Sequence, residues 1–156
     1  MDLAVTREPR IPRAAAERTA LLLVNVGSAL SEVADEQLAA AGVNGREYAI
    51  LSILDSDGPG SQQELARLLG KAPAIVVAAI DALEGRGLVE RTRDPSDRRR
   101  SRVMLTAAGT KTLRKADVLA DEAVTGLLAG LDHDGVQELR RLLTRGLGPH
   151  FAPTRA

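Results

Sequence analysis

Apolar residues recur at three- and four-residue steps from Ala14 to about Ala41, through Ala20, Leu23, Val26, Leu30, Val33, Ala34 and Leu38. That spacing predicts one long helix, stopped by Gly42 as a C-cap glycine. Asn44, with Glu47 three residues on, has the form of a reciprocal capping box and opens a helix through Tyr48, Leu51, Ile53 and Leu54. Asp57-Gly58-Pro59-Gly60 is a turn. Ser61 with Glu64 repeats the capping box, and the short helix it starts ends at Gly70. Pro73, a favoured first-turn residue, begins a further helix to Glu84 on Ile75, Val76, Ala79, Ile80 and Leu83. The pattern then changes period. Residues 88–92 and 101–105 read as two short strands joined by a long basic loop. Thr106 caps a long helix from Ala107 to about Leu128, and a last helix runs from about Gly135 to Leu147.

Two consecutive helices joined by a tight glycine turn form a helix-turn-helix, and a hairpin placed directly after the second helix is a wing. The expected fold is therefore mostly α with a small β-hairpin wing: a winged helix-turn-helix flanked by N- and C-terminal dimerisation helices. The chain divides into a loose arm over residues 1–13 interrupted by Pro9 and Pro12, an N-terminal helical region 14–42, the winged unit 43–106, a helical region 107–148 and a tail 149–156. The apolar flanks are more than a single small domain can bury, which calls for a partner.

Composition narrows the class. Of 156 residues 44% are hydrophobic and only 1% aromatic, Tyr48 and Phe151, so the core is built from Leu, Val, Ile and Ala. The absence of cysteine excludes disulfides, thiolate metal sites and thiol redox chemistry. No apolar run reaches the roughly 20 residues of a membrane span, and the N-terminus lacks a signal-peptide core, so the expectation is a cytoplasmic chain without membrane contact. His133 lies between Asp132 and Asp134, but with His150 as the only other histidine it reads as part of a helix cap rather than a metal site. No cluster of catalytic groups is evident, no cofactor motif occurs, and the expectation is a non-enzyme. Net charge is zero, yet seven of the 21 basic residues fall between Gly85 and Arg102, where three acidic residues leave a local excess of positive charge. A local patch of this kind, not the global sum, governs phosphate binding; the alternative is a solvated arginine-rich turn.

The stretch Leu83-Glu84-Gly85-Arg86-Gly87-Leu88-Val89-Glu90-Arg91, then Asp94-Pro95-Ser96-Asp97-Arg98-Arg99 and Val103-Met104-Leu105-Thr106-Ala107-Ala108-Gly109, resembles the signature of MarR-type transcriptional regulators. Leu65-Ala66-Arg67-Leu68-Leu69-Gly70 is similar to the first helix-turn-helix element of that family. The resemblance is sharpest over residues 61–109. It implies a homodimer that binds double-stranded DNA at a pseudo-palindromic operator as a repressor. It also implies a cleft between the dimerisation helices and the winged domain, taking a small aromatic or phenolic effector that releases DNA.

Asp97 and Arg99 match the family's Asp-x-Arg wing tip. An arginine on a narrow hairpin can enter the minor groove, with the aspartate orienting it by a charge-assisted hydrogen bond. Arg98 and Arg100 are candidate phosphate contacts, and Arg91 or Arg93 could instead pair with Asp97 to hold the wing's shape. In the recognition helix the sequence departs from the family: Lys71 is followed by Ala72, Pro73, Ala74, Ile75, Val76, Val77 and Ala78. Candidate DNA contacts there are Ala74, Ile75, Val77 and Ala78 toward bases, with Ser61, Gln62, Gln63 and Lys71 toward phosphates. Either specificity rests on the wing arginines and DNA shape, with A/T-rich flanks, or DNA binding has weakened and the scaffold binds protein or a small molecule. Tyr48 is a candidate ligand contact in the cleft or a core residue.

Overall fold

The computed structural model describes residues 13–93 and 101–148. Residues 1–12, 94–100 and 149–156 lie outside them. The elements are α1 (Arg13–Ala16), α2 (Thr19–Leu38), α3 (Gly45–Ser56), α4 (Gln62–Leu69), α5 (Pro73–Gly85), β1 (Val89–Arg93), β2 (Ser101–Leu105), α6 (Ala107–Leu127) and α7 (His133–Leu147).

Local chemistry sets most of these limits. Asn44 Oδ1 accepts from the Arg46 and Glu47 amides at 3.0 Å each, while Glu47 Oε2 accepts from the Asn44 amide at 3.1 Å. Ser61 and Glu64 repeat the reciprocal cap at α4, at 3.2 and 2.8 Å. Two caps of this kind satisfy amides that a helix start otherwise leaves unpaired. Gly42 and Gly70 close the preceding turns in the left-handed region, at φ 78° and 60°. Pro73 opens α5, and Thr106 Oγ1 accepts from the Gly109 amide at the start of α6.

The structure departs from the sequence pattern in three places. The first helix is interrupted: Arg18 is extended, separating α1 from α2, and residues 39–41 tighten to a 3-10 turn before Gly42. The Arg18 side chain donates back across the break, Nη1 to the Ala14 carbonyl at 3.1 Å. α7 starts two residues early because Asp132 Oδ1 caps it, accepting from the Gly135 amide at 2.8 Å. The first strand begins at Val89, since Leu88 is held by the end of α5, its amide donating to the Leu83 carbonyl at 3.0 Å.

β1 and β2 are antiparallel, from Val89 opposite Leu105 to Arg93 opposite Ser101. Gly60 adds a bridge to Val103, tying the turn before α4 to the hairpin. The core gathers Ile50, Leu51, Leu54, Leu65, Val76, Ile80, Leu83, Val89 and Val103 between α3, α4, α5 and the hairpin. Leu38 and Val43 join from the α2 end and Leu113 and Ala116 from α6. α2 packs along α6, but their outer surfaces stay open: Leu21, Leu23, Val24 and Val118 are exposed, as are Leu142, Leu143 and Leu147 of α7, in which no residue is buried.

Candidate nucleic-acid interface and an adjacent cleft

The helix-turn-helix is α4, the Gly70-Lys71-Ala72 turn and α5. Val76, Ala79, Ile80 and Leu83 turn one stripe of α5 into the core, which leaves Ala74, Ile75, Ala78, Asp81 and Ala82 on the opposite, exposed stripe, with Val77 half-buried at its edge. The expected base-facing residues therefore come together on one surface, and that surface is apolar. Lys71 stands exposed in the turn leading into it, and Gln63 is exposed on α4. Ser61 is half-buried and spent on the α4 cap. Gln62 is also engaged within the protein: with its amide oxygen turned inward, it accepts from Arg91 Nε at 2.7 Å and Nη2 at 2.9 Å.

Arg91 proves to be the node that joins the wing to both helices. From β1 it pairs with Asp81 and Glu84 of α5, and its backbone amide donates to Glu84 Oε1 at 3.1 Å. Desolvation pulls its basicity down, but the hydrogen bonds it donates to Asp81 and Glu84, with their charge, outweigh that and hold the guanidinium above its ordinary range. The alternative pairing of Arg91 or Arg93 with Asp97 involves a residue outside the described ones; the described ion-pair partners of Arg91 are on α5 instead. Nothing local in the sequence pointed to those partners, seven and ten residues upstream. Arg93 ends β1 exposed, opposite Ser101, and residues 94–100 join the two strand ends. Asp97, Arg98, Arg99 and Arg100 all lie outside the described residues.

A second junction locks α3 against the end of α5. Glu47, only 7% exposed, accepts from Arg86 Nη2 at 2.6 Å, and Arg86 also donates to the carbonyls of Gly42 and Ala82. A buried carboxylate needs such a partner, and here one arginine fixes the bend between α2 and α3 to the recognition helix.

Next to this junction a cleft of about 580 Å3 opens between α2 and α3. Leu30, Ala34, Leu38 and Leu69 supply apolar walls, and Arg46, Tyr48 and Lys71 bring polar groups to it. Among the described residues the Arg46 and Lys71 side chains have no hydrogen-bond or ion-pair partner. The Tyr48 hydroxyl donates to Asp117 Oδ1 of α6 at 2.9 Å, bridging the winged unit and the flanking helices. Desolvation, the Asp117 hydrogen bond and the carboxylate's charge push the phenol up to about 12. Tyr48 thus lines the cleft and is also tied to the core. Among the described residues no group of His, Asp and Glu is arranged to hold a metal, and no helix is long and apolar enough to cross a membrane.

The model of the MarR family matches residues 43–101. The transcriptional regulator HosA of Escherichia coli O111:H- is 34% identical over 99 residues, covering 61% of this chain and 73% of that protein. A MarR-family transcriptional regulator from Rhodococcus sp. RHA1 superposes with a TM-score of 0.78 at 28% identity, covering 90% of this chain and all of the other. CouR from Rhodococcus jostii RHA1, solved bound to p-coumaroyl-CoA, gives 0.73 at 29% identity over 91% of this chain and all of CouR. With its winged helix-turn-helix formed by α4, α5 and the β1–β2 hairpin, the chain belongs to the MarR family of transcriptional regulators.

Proposed function

We propose that this regulator acts as a symmetric dimer, a repressor that holds a pseudo-palindromic operator through its two winged units and releases it when a small organic ligand fills the cleft. The observation that carries the reading is the placement of α5: an exposed helix, fixed by Arg86 and Arg91 to the frame on one side and to the wing on the other. Residues 43–106 form the DNA-binding unit, and residues 14–42 and 107–148 the dimerisation region. The exposed Leu21, Leu23 and Val24 of α2, with Val118 and the α7 leucines, are the surface a second copy would cover.

Arg99 is the minor-groove reader and Asp97 its support, with Arg98 and Arg100 on phosphates. Lys71 and Gln63 are the phosphate contacts that α4 and the turn leave available. The cleft falls within the size range of small-molecule sites. Its apolar walls and two unpartnered cations suit an aromatic ligand that carries an acid or phenol group. Seated beside Tyr48, such a ligand disturbs the α3–α6 bridge and so biases the spacing of the two winged units, which is how differential affinity for two states becomes release. The function is regulatory rather than enzymatic.

The test is fluorescence anisotropy on duplexes from upstream of the coding sequence, for the native protein and Arg99→Ala at two salt concentrations. Binding that weakens steeply with salt, and at least tenfold in the variant, supports the reading. No binding to that DNA or to pooled random duplexes at low salt overturns it, and transfers the apolar face of α5 to a protein or small-molecule partner.

A further inference from the structure

The outward stripe of α5 carries no side-chain hydrogen-bonding group before Asp81: its exposed members are Pro73, Ala74, Ile75 and Ala78. Ile75 leaves 41% of its surface in solvent, the largest apolar side chain on that stripe. The carboxylate that does lie on this face, Asp81, is paired with Arg91, which also takes Glu84. At the approach to the helix the charge is of the other sign. Arg67 of α4 and Lys71 are both exposed, and neither has an ion-pair partner among the described residues. An apolar strip approached past unpaired cations complements a polyanion that shows apolar groups in a groove. In the DNA major groove, the apolar group that a base pair presents is the thymine C5-methyl.

We infer that α5 reads thymine methyl groups by van der Waals contact, with Ile75, Ala74 and Ala78 as the specificity-determining residues. This rests on the reading of the chain as a DNA-binding regulator. Bidentate recognition of guanine or adenine needs Arg, Lys, Asn or Gln on the helix, and the outward stripe has none. Apolar side chains also approach a groove floor without the desolvation penalty of an unpaired polar group. Burial of one methyl is worth about fourfold in an association constant. A dimer contacting one or two thymines in each half-site therefore gains tenfold or more from methyls alone.

The test replaces thymine by deoxyuridine, which lacks the methyl but keeps the base pairing and the minor-groove edge. Full-length protein selects its tightest duplexes from a random pool. The best is resynthesised with deoxyuridine at the thymines of the protected major-groove positions, and both duplexes are titrated. The expected result is at least tenfold weaker binding to the deoxyuridine duplex. Ile75→Ala, a surface truncation, narrows that ratio about threefold or more, whereas Arg99→Ala weakens both duplexes alike. Equal affinities within twofold, with salt-sensitive binding intact, overturn methyl readout and leave the regulator reading standing. If no duplex is enriched even at low salt, the regulator reading fails and the inference with it.

Discussion

Gly109 lies on the first turn of α6, buried against the carbonyl that closes the turn after α5. A Cβ built there falls 1.9 Å from the Leu88 oxygen and 2.9 Å from Leu105 Cδ2. Carbon–oxygen contact is comfortable near about 3.3 Å, so Gly109→Ala needs a shift of more than an ångström. The obstacle is backbone, and it is anchored: the Leu88 carbonyl accepts from the Thr106 amide at 3.2 Å. Overpacking of this kind costs about 1–3 kcal/mol, and loosening that hydrogen bond adds about 1 kcal/mol. Alanine's better helix propensity returns at most about 1 kcal/mol. The net loss is about 1–3 kcal/mol, or a fall in Tm of about 2–12 °C at fixed protomer concentration. Gly85→Ala is the control. It ends α5 with a helical backbone and nothing within 4 Å of the added methyl, so it stabilises by about 0.5–1 kcal/mol. Urea unfolding followed by circular dichroism measures both. Gly109→Ala within 0.5 kcal/mol of the native protein would refute the close-approach argument.

Tyr48 is the only tyrosine and tryptophan is absent, so phenolate absorbance titrates one known group. Its folded pKa of about 12 exceeds the ordinary 10.0, so its contribution to stability is complete below pH 10 and lost as pH rises from there through 12. Asp117→Asn lowers the midpoint only in part, because desolvation is the larger cause; a native midpoint at 10 with the helices intact contradicts the half-buried phenol and its Asp117 bridge. Arg91→Ala destabilises by about 1 kcal/mol at low salt and clearly less at high salt, since its partners are partly exposed and screened. A loss of equal size in high salt would mean that the side chain acts by packing. Val24→Asp, at a position 65% exposed in the protomer, leaves the protomer folded but weakens dimerisation at least tenfold by sedimentation equilibrium. An unchanged dimer places the interface elsewhere.

The candidate site was legible where its signals are short. The stripe Ala74, Ile75 and Ala78 follows from helical period once Val76, Ala79 and Ile80 are taken as core. The wing strands follow from alternation, with the register Val89 to Leu105 placing residues 94–100 between their ends. The partner of Gln62 was not legible. A glutamine in the first turn of a helix before a basic wing suggests a phosphate contact, and only the return of β1 past α4 shows Arg91 taking its amide.

By itself the sequence determined the element order and most boundaries, because caps act between residues two to four apart. Asn44 with Glu47, Ser61 with Glu64, and Gly42 and Gly70 in the left-handed region need no knowledge of the rest of the chain. Tertiary structure decided what joins distant segments: Arg86 to Glu47 across 39 residues and Tyr48 to Asp117 across 69. It also decided why Gly109 must lack a side chain, since the carbonyl it meets belongs to Leu88, brought there by the hairpin's return. The physical reason is range. A cap is settled by the geometry of one turn, whereas a buried ion pair or a backbone approach depends on where packing brings the chain back, and no pattern within a turn or two of either residue encodes that.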